Sequence, residues 1–502
     1  MDLKTNKLNV LFSIVFKIAI IILNFLLRKF FIQILGIELQ GLVNVYTSIL
    51  GFLGVVDLGI GIAIVYAMYK PIVEKDYCLL KSLYNFYKKI YYIIALIIIC
   101  LSLIVLPFLK YICKDISTDY NIYIGYILAV MGTVFTYLYA SDVSIIQANQ
   151  RTYITTLIIS IVTILQNIVE VVILFVSKNF YAYLICKIFF SFITFGLLRL
   201  YVRKKFSYII DADEKPLEKE YKKTIFKNIR ALALHKIGSI IVFNMDTIII
   251  STMLGVALVG YYSNYTTIIV ALVGVMSLFF TPLTAGIGSM IVENNKEKLM
   301  KSYNFLFFFN YFLGFTSFFL YFSFINFFIA KIWLGIDYIL NTRLIIIIVI
   351  NYFVDFLRKS NSVFKDAAGL FYPDRYKCIV ESIMNLILSI VLCLFIGIEG
   401  VLIATIITNL CISLIVEPFV VNKYLLKSDF KSFIFKQYAL IAIFVASVIL
   451  YSFLFDIQNV SVSNTIICVV AAIVISLGVC FTASLLFKDF YYVTKKIIKE
   501  KK

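Results

Sequence analysis

Between residues 91 and 109 the chain reads YYIIALIIICLSLIVLPFL, an apolar run with one lysine-free path from end to end. A helix of about 20 such residues crosses a hydrocarbon core of roughly 30 Å. Comparable runs follow one another through the chain, at 8–34, 42–69, 90–109, 120–142, 153–176, 180–201, 228–253, 258–284, 302–329, 338–357, 376–396, 400–421, 437–455 and 464–486. They are continuous and do not alternate over ten-residue segments, which predicts helices and not the strands of a barrel. With 62% hydrophobic and 15% charged residues there is too little polar surface to coat a large soluble globule. The expected fold is therefore an all-α polytopic membrane protein of about 14 transmembrane helices. The first run is too long, and too poor in small-residue cleavage signals, for a removable signal peptide, so it reads as an uncleaved helix.

The net charge of +18 is distributed unevenly. Assigning the connections alternately to two sides puts 36 of the 46 Lys and Arg residues on one of them. They include Lys4, Lys7, the Lys70 to Lys89 loop, the Arg199 to Arg230 loop and the basic tail from 487 to 502. By the positive-inside rule that side is cytoplasmic and holds both termini. Such scatter over short loops speaks for the anionic inner leaflet and against nucleic acid as the partner. The nine cysteines show no CxxC or Cys/His spacing, which leaves them as packing sulfur with no metal site.

LGIELQGLVNVYTSIL at 35–50 returns as LGVALVGYYSNYTTII at 254–269. At this offset of 219 residues Gly36 falls on Gly255, Gly41 on Gly260, Tyr46 on Tyr265, Thr47 on Thr266 and Leu53 on Leu272. FKIAII (16–21) falls on HKIGSI (235–240), which sets Lys17 on Lys236, and Asn167 comes close to Asn385. Six spans separate the copies. An even number gives halves of the same orientation, parallel repeats of the kind used for alternating access. The expected organisation is an N-terminal six-helix lobe (1–201), a linker (202–227), a C-terminal six-helix lobe (228–422), two additional helices (437–486) and the tail (487–502). The glycines predict a sharp turn between the first two helices of each half.

A charge at the bilayer centre costs roughly 2.5–3.5 kcal/mol on insertion scales, so intramembrane ionisable residues face a cavity or a partner. Ser13, Lys17, Asn24 and Arg28 share one stripe of the first helix, and His235, Ser239 and Asp246 one stripe of the seventh, with Lys236 beside it. Lys17, Arg28 and Lys236 are suited to an anionic headgroup such as a diphosphate, with Asn24 on the same face. The competing reading for Arg28 is snorkelling to the interface. Asp57, in DLGIG, and Asp246 either pair with the basic stripe or bind a coupling cation or proton. Asp142 and Asp355 read as solvated carboxylates at span ends. A single histidine, His235, does not make a His-rich metal site.

No Ser/His/Asp arrangement, HExxH, P-loop or dinucleotide fingerprint is present, which points to a transporter and not an enzyme, with no cofactor. The longest hydrophilic connection, RKKFSYIIDADEKPLEKEYKKTIFK, reads as a solvated linker.

LGIELQGLVNVYTSIL with DLGIG, HKIGSIIVFNMDTIIIS, GYYSNY, and FKDAAGLFYPDRYK followed by IVESIMNLILS resemble the polysaccharide transporter family of lipid-linked oligosaccharide flippases. That family lies in the multidrug/oligosaccharidyl-lipid/polysaccharide superfamily. The resemblance implies a V-shaped pair of six-helix lobes around a central cavity in a bacterial cytoplasmic membrane. It implies as cargo an undecaprenyl-diphosphate-linked repeat unit bound for capsule, O-antigen or another surface glycan. Membrane lipid, a glycan polymerase and glycosyltransferases are the implied partners, and the diphosphate would fall to Lys17, Arg28 and Lys236. A cation-coupled drug antiporter of the same architecture, or a membrane glycan polymerase, are the alternatives; the short external connections weigh against the polymerase.

Overall fold

The computed structural model describes residues 3–57, 60–117, 119–217, 222–223, 225, 244–293, 296–370 and 372–484. The main helices in chain order are α1 (Leu3–Leu35), α2 (Ile37–Leu53), α3 (Ile60–Glu74), α4 (Tyr77–Val105), α5 (Ile122–Leu138), α6 (Ala140–Ala148), α7 (Thr152–Ser177) and α8 (Phe180–Lys205). Then come α9 (244–254), α10 (Val256–Val292), α11 (Lys296–Phe327), α12 (Thr342–Ala367), α13 (Lys377–Ile396), α14 (Ile398–Thr408), α15 (Leu414–Val420), α16 (Phe430–Leu454) and α17 (Val462–Ser484). Among the described residues 12 helices are long and apolar enough to cross a membrane. With α9 and α12 as further helices among the described residues, the architecture is roughly consistent with the expected plan of about 14.

The chain divides into two compact units, 1–260 and 261–502. The first contains both copies of the Gly turn up to Gly260. Gly36 and Gly255 take φ of 93° and 99°, a backbone that L side chains rarely adopt, and each breaks the chain between two helices. The second glycine of each copy has a different task. A Cβ on Gly41 would collide with the Val256 carbonyl, and one on Gly260 would lie 2.5 Å from the Ile37 carbonyl oxygen. Ile37 and Val256 are themselves 219 positions apart, so the two turns receive each other reciprocally.

The repeat also extends to side-chain bonds. Tyr84 donates its hydroxyl to Asp142 at 2.6 Å in the first unit, and Tyr303 donates to Asn361 at 2.6 Å in the second. Both residues of the pair obey the offset of 219. Tyr46 donates to the Ile122 carbonyl at 2.5 Å, while its counterpart Tyr265 donates to Asn326 at 2.7 Å.

Three features differ from the sequence expectation. The second span is not one helix: α2 ends in a 3-10 turn at Gly54–Asp57 and α3 starts at Ile60, in a stretch where Asp57 and the glycines of DLGIG weaken helix. Asp142 is not solvated. It is fully buried, and Arg199 reaches it at 3.0 Å from the other side. The stretch after α8 is not free either. Phe206 and Ile209 are buried against Leu80, Leu83 and Tyr87. Lys81 donates to the Ala212 carbonyl at 2.5 Å, Asn85 to Glu214 at 2.8 Å, and the Lys215 amide to Ser82 at 3.0 Å. Charge density along 211–217 hid an apolar pair just upstream that fastens it.

The core of the second unit is aromatic. Phe353 stacks on Phe444 with centroids 3.6 Å apart, and Phe315 meets Phe444 edge-on at 5.1 Å. Asn310 on α11 donates to the Phe356 and Leu357 carbonyls of α12, both at 3.1 Å. The nine cysteines are all unbridged.

Candidate functional site

In the first unit α1 lies along α7, and the contact is polar at its middle. Asn167 of α7 donates its amide to Asn24 of α1 at 2.8 Å. Beside it on α7, Gln166 donates to Glu170 at 2.7 Å, and Glu170 is fully buried. A buried carboxylate needs a counter-charge, and α8 supplies it: the Lys187 ammonium interacts with Glu170 and sits 4.4 Å from the centre of the Tyr183 ring. Arg28, one turn beyond Asn24 on α1, is half-buried and interacts with the same tyrosine. Three helices thus gather Asn24, Arg28, Asn167, Glu170, Tyr183 and Lys187 into one polar strip. Helical spacing sets it up, since 24 and 28 on α1, 166 and 170 on α7, and 183 and 187 on α8 are each four apart.

Next to this strip is a cavity of about 570 Å³ lined by α2, α5, α7 and α8, with Thr47, Thr133, Thr136, Gln166 and Lys187 on its wall and Asp57 also contributing. A second cavity, of about 540 Å³, adjoins it at Asp57 and Thr136 and is lined farther on by Tyr69, Tyr91, Ser144 and Gln147. Asp57 reaches both because the helix breaks there, and its charge faces the hydroxyls of Tyr91 and Tyr137.

Of the residues singled out in sequence, Asn24 and Arg28 come together in the strip and Asp57 opens onto the cavities. Lys17 is exposed on α1, about two turns before Asn24 on the same stripe of that helix. Asp246 is half-buried on α9. Lys236, with His235 and Ser239, lies outside the described residues. Glu170 and Lys187 were missed. The signal was there: an acid and a base, each alone in the middle of an apolar run, in consecutive spans.

The second unit carries a buried ionic cluster that sequence reading also missed. Arg358 of α12 donates to Asp355 at 3.2 Å, Glu381 at 3.2 Å, Asn409 at 2.7 Å and Glu417 at 3.0 Å. Lys377 binds Glu417 directly and lies 3.8 Å from Glu381. Lys365 and Asp374 make a buried pair at 2.7 Å, and Glu417 also attracts the lysine. Asn409 opens a five-residue π turn, Asn409–Ser413, a local irregularity that aims its side chain at the guanidinium. Nearer the other end of α13, Asn385 donates to Thr405 at 2.9 Å. The cluster fastens α12, α13 and α15 to one another.

No protein-family model matches the chain, and no curated protein sequence matches it significantly. Solved structures do. The lipid II flippase MurJ in an inward closed conformation superposes with a TM-score of 0.63 at 17% identity, covering 94% of this chain and 98% of that one. An inward-facing multidrug resistance transporter of the MATE family superposes with 0.58 at 14% identity, over 79% and 94%. A transporter of the MOP superfamily from Pyrococcus furiosus, described as having a binding pocket of reverse polarity, gives 0.54 at 15% identity, over 83% and 96%. At these identities the likeness is one of fold: the chain has the polytopic architecture shared by MOP-superfamily transporters and flippases.

Proposed function

We propose that a chain built on this transporter fold is a flippase, moving undecaprenyl-diphosphate-linked oligosaccharide repeat units from the inner to the outer leaflet by alternating access for surface polysaccharide synthesis. The observation that carries the reading is the cationic strip at the middle of the first unit, Arg28 with Lys187, set on a fold whose likeness to a lipid II flippase spans 94% of the chain. A guanidinium offers a two-pronged donor to a diphosphate, and an ammonium a compact charge. Lys17 extends that basic character along α1, where Asn24 is beside Arg28, and Lys236 is its counterpart at the repeat offset of 219. The glycan polymerase and glycosyltransferases of such a pathway are the partners this role calls for.

Cation-coupled drug antiport is the second reading, favoured by the likeness to the MATE transporter and by Asp57 at the junction of two cavities. Asp57 and Asp246 would then bind the coupling ion.

The test is reconstitution. Proteoliposomes loaded with fluorescent undecaprenyl-diphosphate oligosaccharide are expected to expose the label to an external quencher, and Arg28→Ala to slow this at least about tenfold, the value of one charged hydrogen bond. Wild-type vesicles that scramble no glycolipid yet extrude ethidium under an imposed ion gradient would reverse the choice.

A further inference from the structure

We propose that Glu170 is an internal competitor of the cargo: a carboxylate behind the cavity wall that contends with the lipid-linked diphosphate for Lys187 and keeps the strip's hold loose enough for release. The inference rests on the flippase reading and names the residue that regulates its binding site.

Glu170 is fully buried within α7, yet it does not line the cavity of about 570 Å³. Both groups that it engages do. Gln166 donates its amide to Glu170 at 2.7 Å, and the Lys187 ammonium is drawn to it by charge. Each of them stands on the cavity wall. The second carboxylate oxygen, Oε2, is buried without a hydrogen-bond partner among the described residues. A carboxylate built only to hold helices together has closer company. Glu417 in the second unit is bound directly by Lys377 and, at 3.0 Å, by Arg358. Lys187 instead rests on the Tyr183 ring, 4.4 Å from its centre, and leaves Oε2 of Glu170 without a donor.

The arrangement answers a problem that any carrier of an anion through oil must meet. Two cations in a low-dielectric strip, Arg28 and Lys187, would be costly when the strip is empty. Once loaded, they would hold a dianion too firmly to let it go. A fixed carboxylate near one of them relieves both difficulties, and the cation that Glu170 engages is Lys187. With the strip empty, Glu170 is the counter-charge of the ammonium. With the strip loaded, it opposes the diphosphate and takes the ammonium back as the cargo leaves. Glu170 touches no cargo in this scheme; it acts through the two wall residues and is a positioning residue.

The experiment measures binding of a farnesyl diphosphate carrying one N-acetylhexosamine to the purified full chain in nanodiscs, together with translocation of labelled glycolipid in proteoliposomes. Glu170→Gln deletes the charge and keeps the shape and an acceptor for Gln166. It is expected to bind the probe at least about tenfold tighter, and to translocate more slowly at saturating lipid. A fault in folding would weaken binding and slow transport together, so opposite movement of affinity and rate marks the competitor. Glu170→Gln with Lys187→Gln removes the pair at once and is expected to bind within about threefold of wild type, because each group offsets the other. This neutral variant carries the test if the single one does not fold. Glu170→Gln protein that binds no tighter than wild type overturns the competitor while leaving the diphosphate reading intact. So does a double variant about tenfold or more weaker than wild type, since Lys187 would then serve the cargo unopposed. Failure of both wild type and Glu170→Gln to bind the probe sinks the flippase reading, and the competitor with it.

Discussion

The buried cluster of the second unit makes a quantitative prediction because its buried charges are matched. Arg358 and Lys377 face the buried Glu381 and Glu417, with the more exposed Asp355 at the edge. Replacing Arg358 by Met leaves three acids to a single lysine, and removing one partner of a buried ionic group costs about 3–5 kcal/mol. Glu417→Gln breaks the cluster from its acidic side. Lys377 loses its direct partner, while Arg358 retains Asp355, Glu381 and Asn409. Its cost should likewise be about 3–5 kcal/mol. Combining the two restores part of the balance, so the double variant should be less destabilised than the sum, by a coupling of about 1–2 kcal/mol. The assay is reversible unfolding of the detergent-solubilised protein by titration with SDS in mixed micelles, followed by loss of helix. If Glu417→Gln were nearly neutral, ion pairing would not be what holds α12, α13 and α15 together. An Arg358→Met protein within 1 kcal/mol of wild type would refute the argument at its root.

Other outcomes follow from single contacts. Tyr84→Phe should cost about 1.5–3 kcal/mol, since a carboxylate loses a donor, and Tyr303→Phe about 0.5–1.5, since an amide does; parallel unfolding titrations compare them. Gly36 has φ 93° and ψ 165° with open space around it, so Gly36→Ala should cost about 1–3 kcal/mol through the backbone alone. Gly41→Ala should cost about as much through collision with the Val256 carbonyl, and in this case Val256→Ala, which leaves that carbonyl in place, should not relieve it. Asn24→Leu should leave the buried Asn167 amide without its acceptor, lowering stability by about 1–3 kcal/mol, read as a lower melting temperature in detergent.

The fold was legible because lipid is an unforgiving solvent: each apolar run had to be a helix, and the runs could be counted. The Gly turns were legible because a positive φ restricts the residue that can occupy it. What stayed hidden was pairing. Arg358 is adjacent in sequence to nothing that announces Glu417, 59 positions on. Asp142 looked like a loop carboxylate because it lies at a span end, yet Tyr84 and Arg199 close over it from α4 and α8. Helical periodicity tells which face a residue occupies and says nothing of the face opposite. The same limit explains the candidate site. Asn24 and Arg28 could be placed on one stripe, but their association with Glu170 and Lys187 required α7 and α8 to be laid beside α1.

The internal repeat separates scaffold from specialisation more sharply than either copy could alone. Where both copies keep a feature at the same offset, the shared fold is the economical cause: the positive-φ glycines, the reciprocal Gly41 and Gly260 contacts, and the tyrosine bonds of Tyr84 and Tyr303. Where the copies part, the fold does not require the difference. The first unit places an ionised pair, Asp142 with Arg199, where the second has Asn361 and no charge at that position. It also holds Arg28, Glu170 and Lys187 beside two cavities, whereas the second concentrates its charge in an internally satisfied cluster around Arg358. A cluster whose charges are spent on one another serves structure. By that reasoning, substitutions at Arg358 should change only how much folded protein there is, read as the yield of monodisperse protein in detergent.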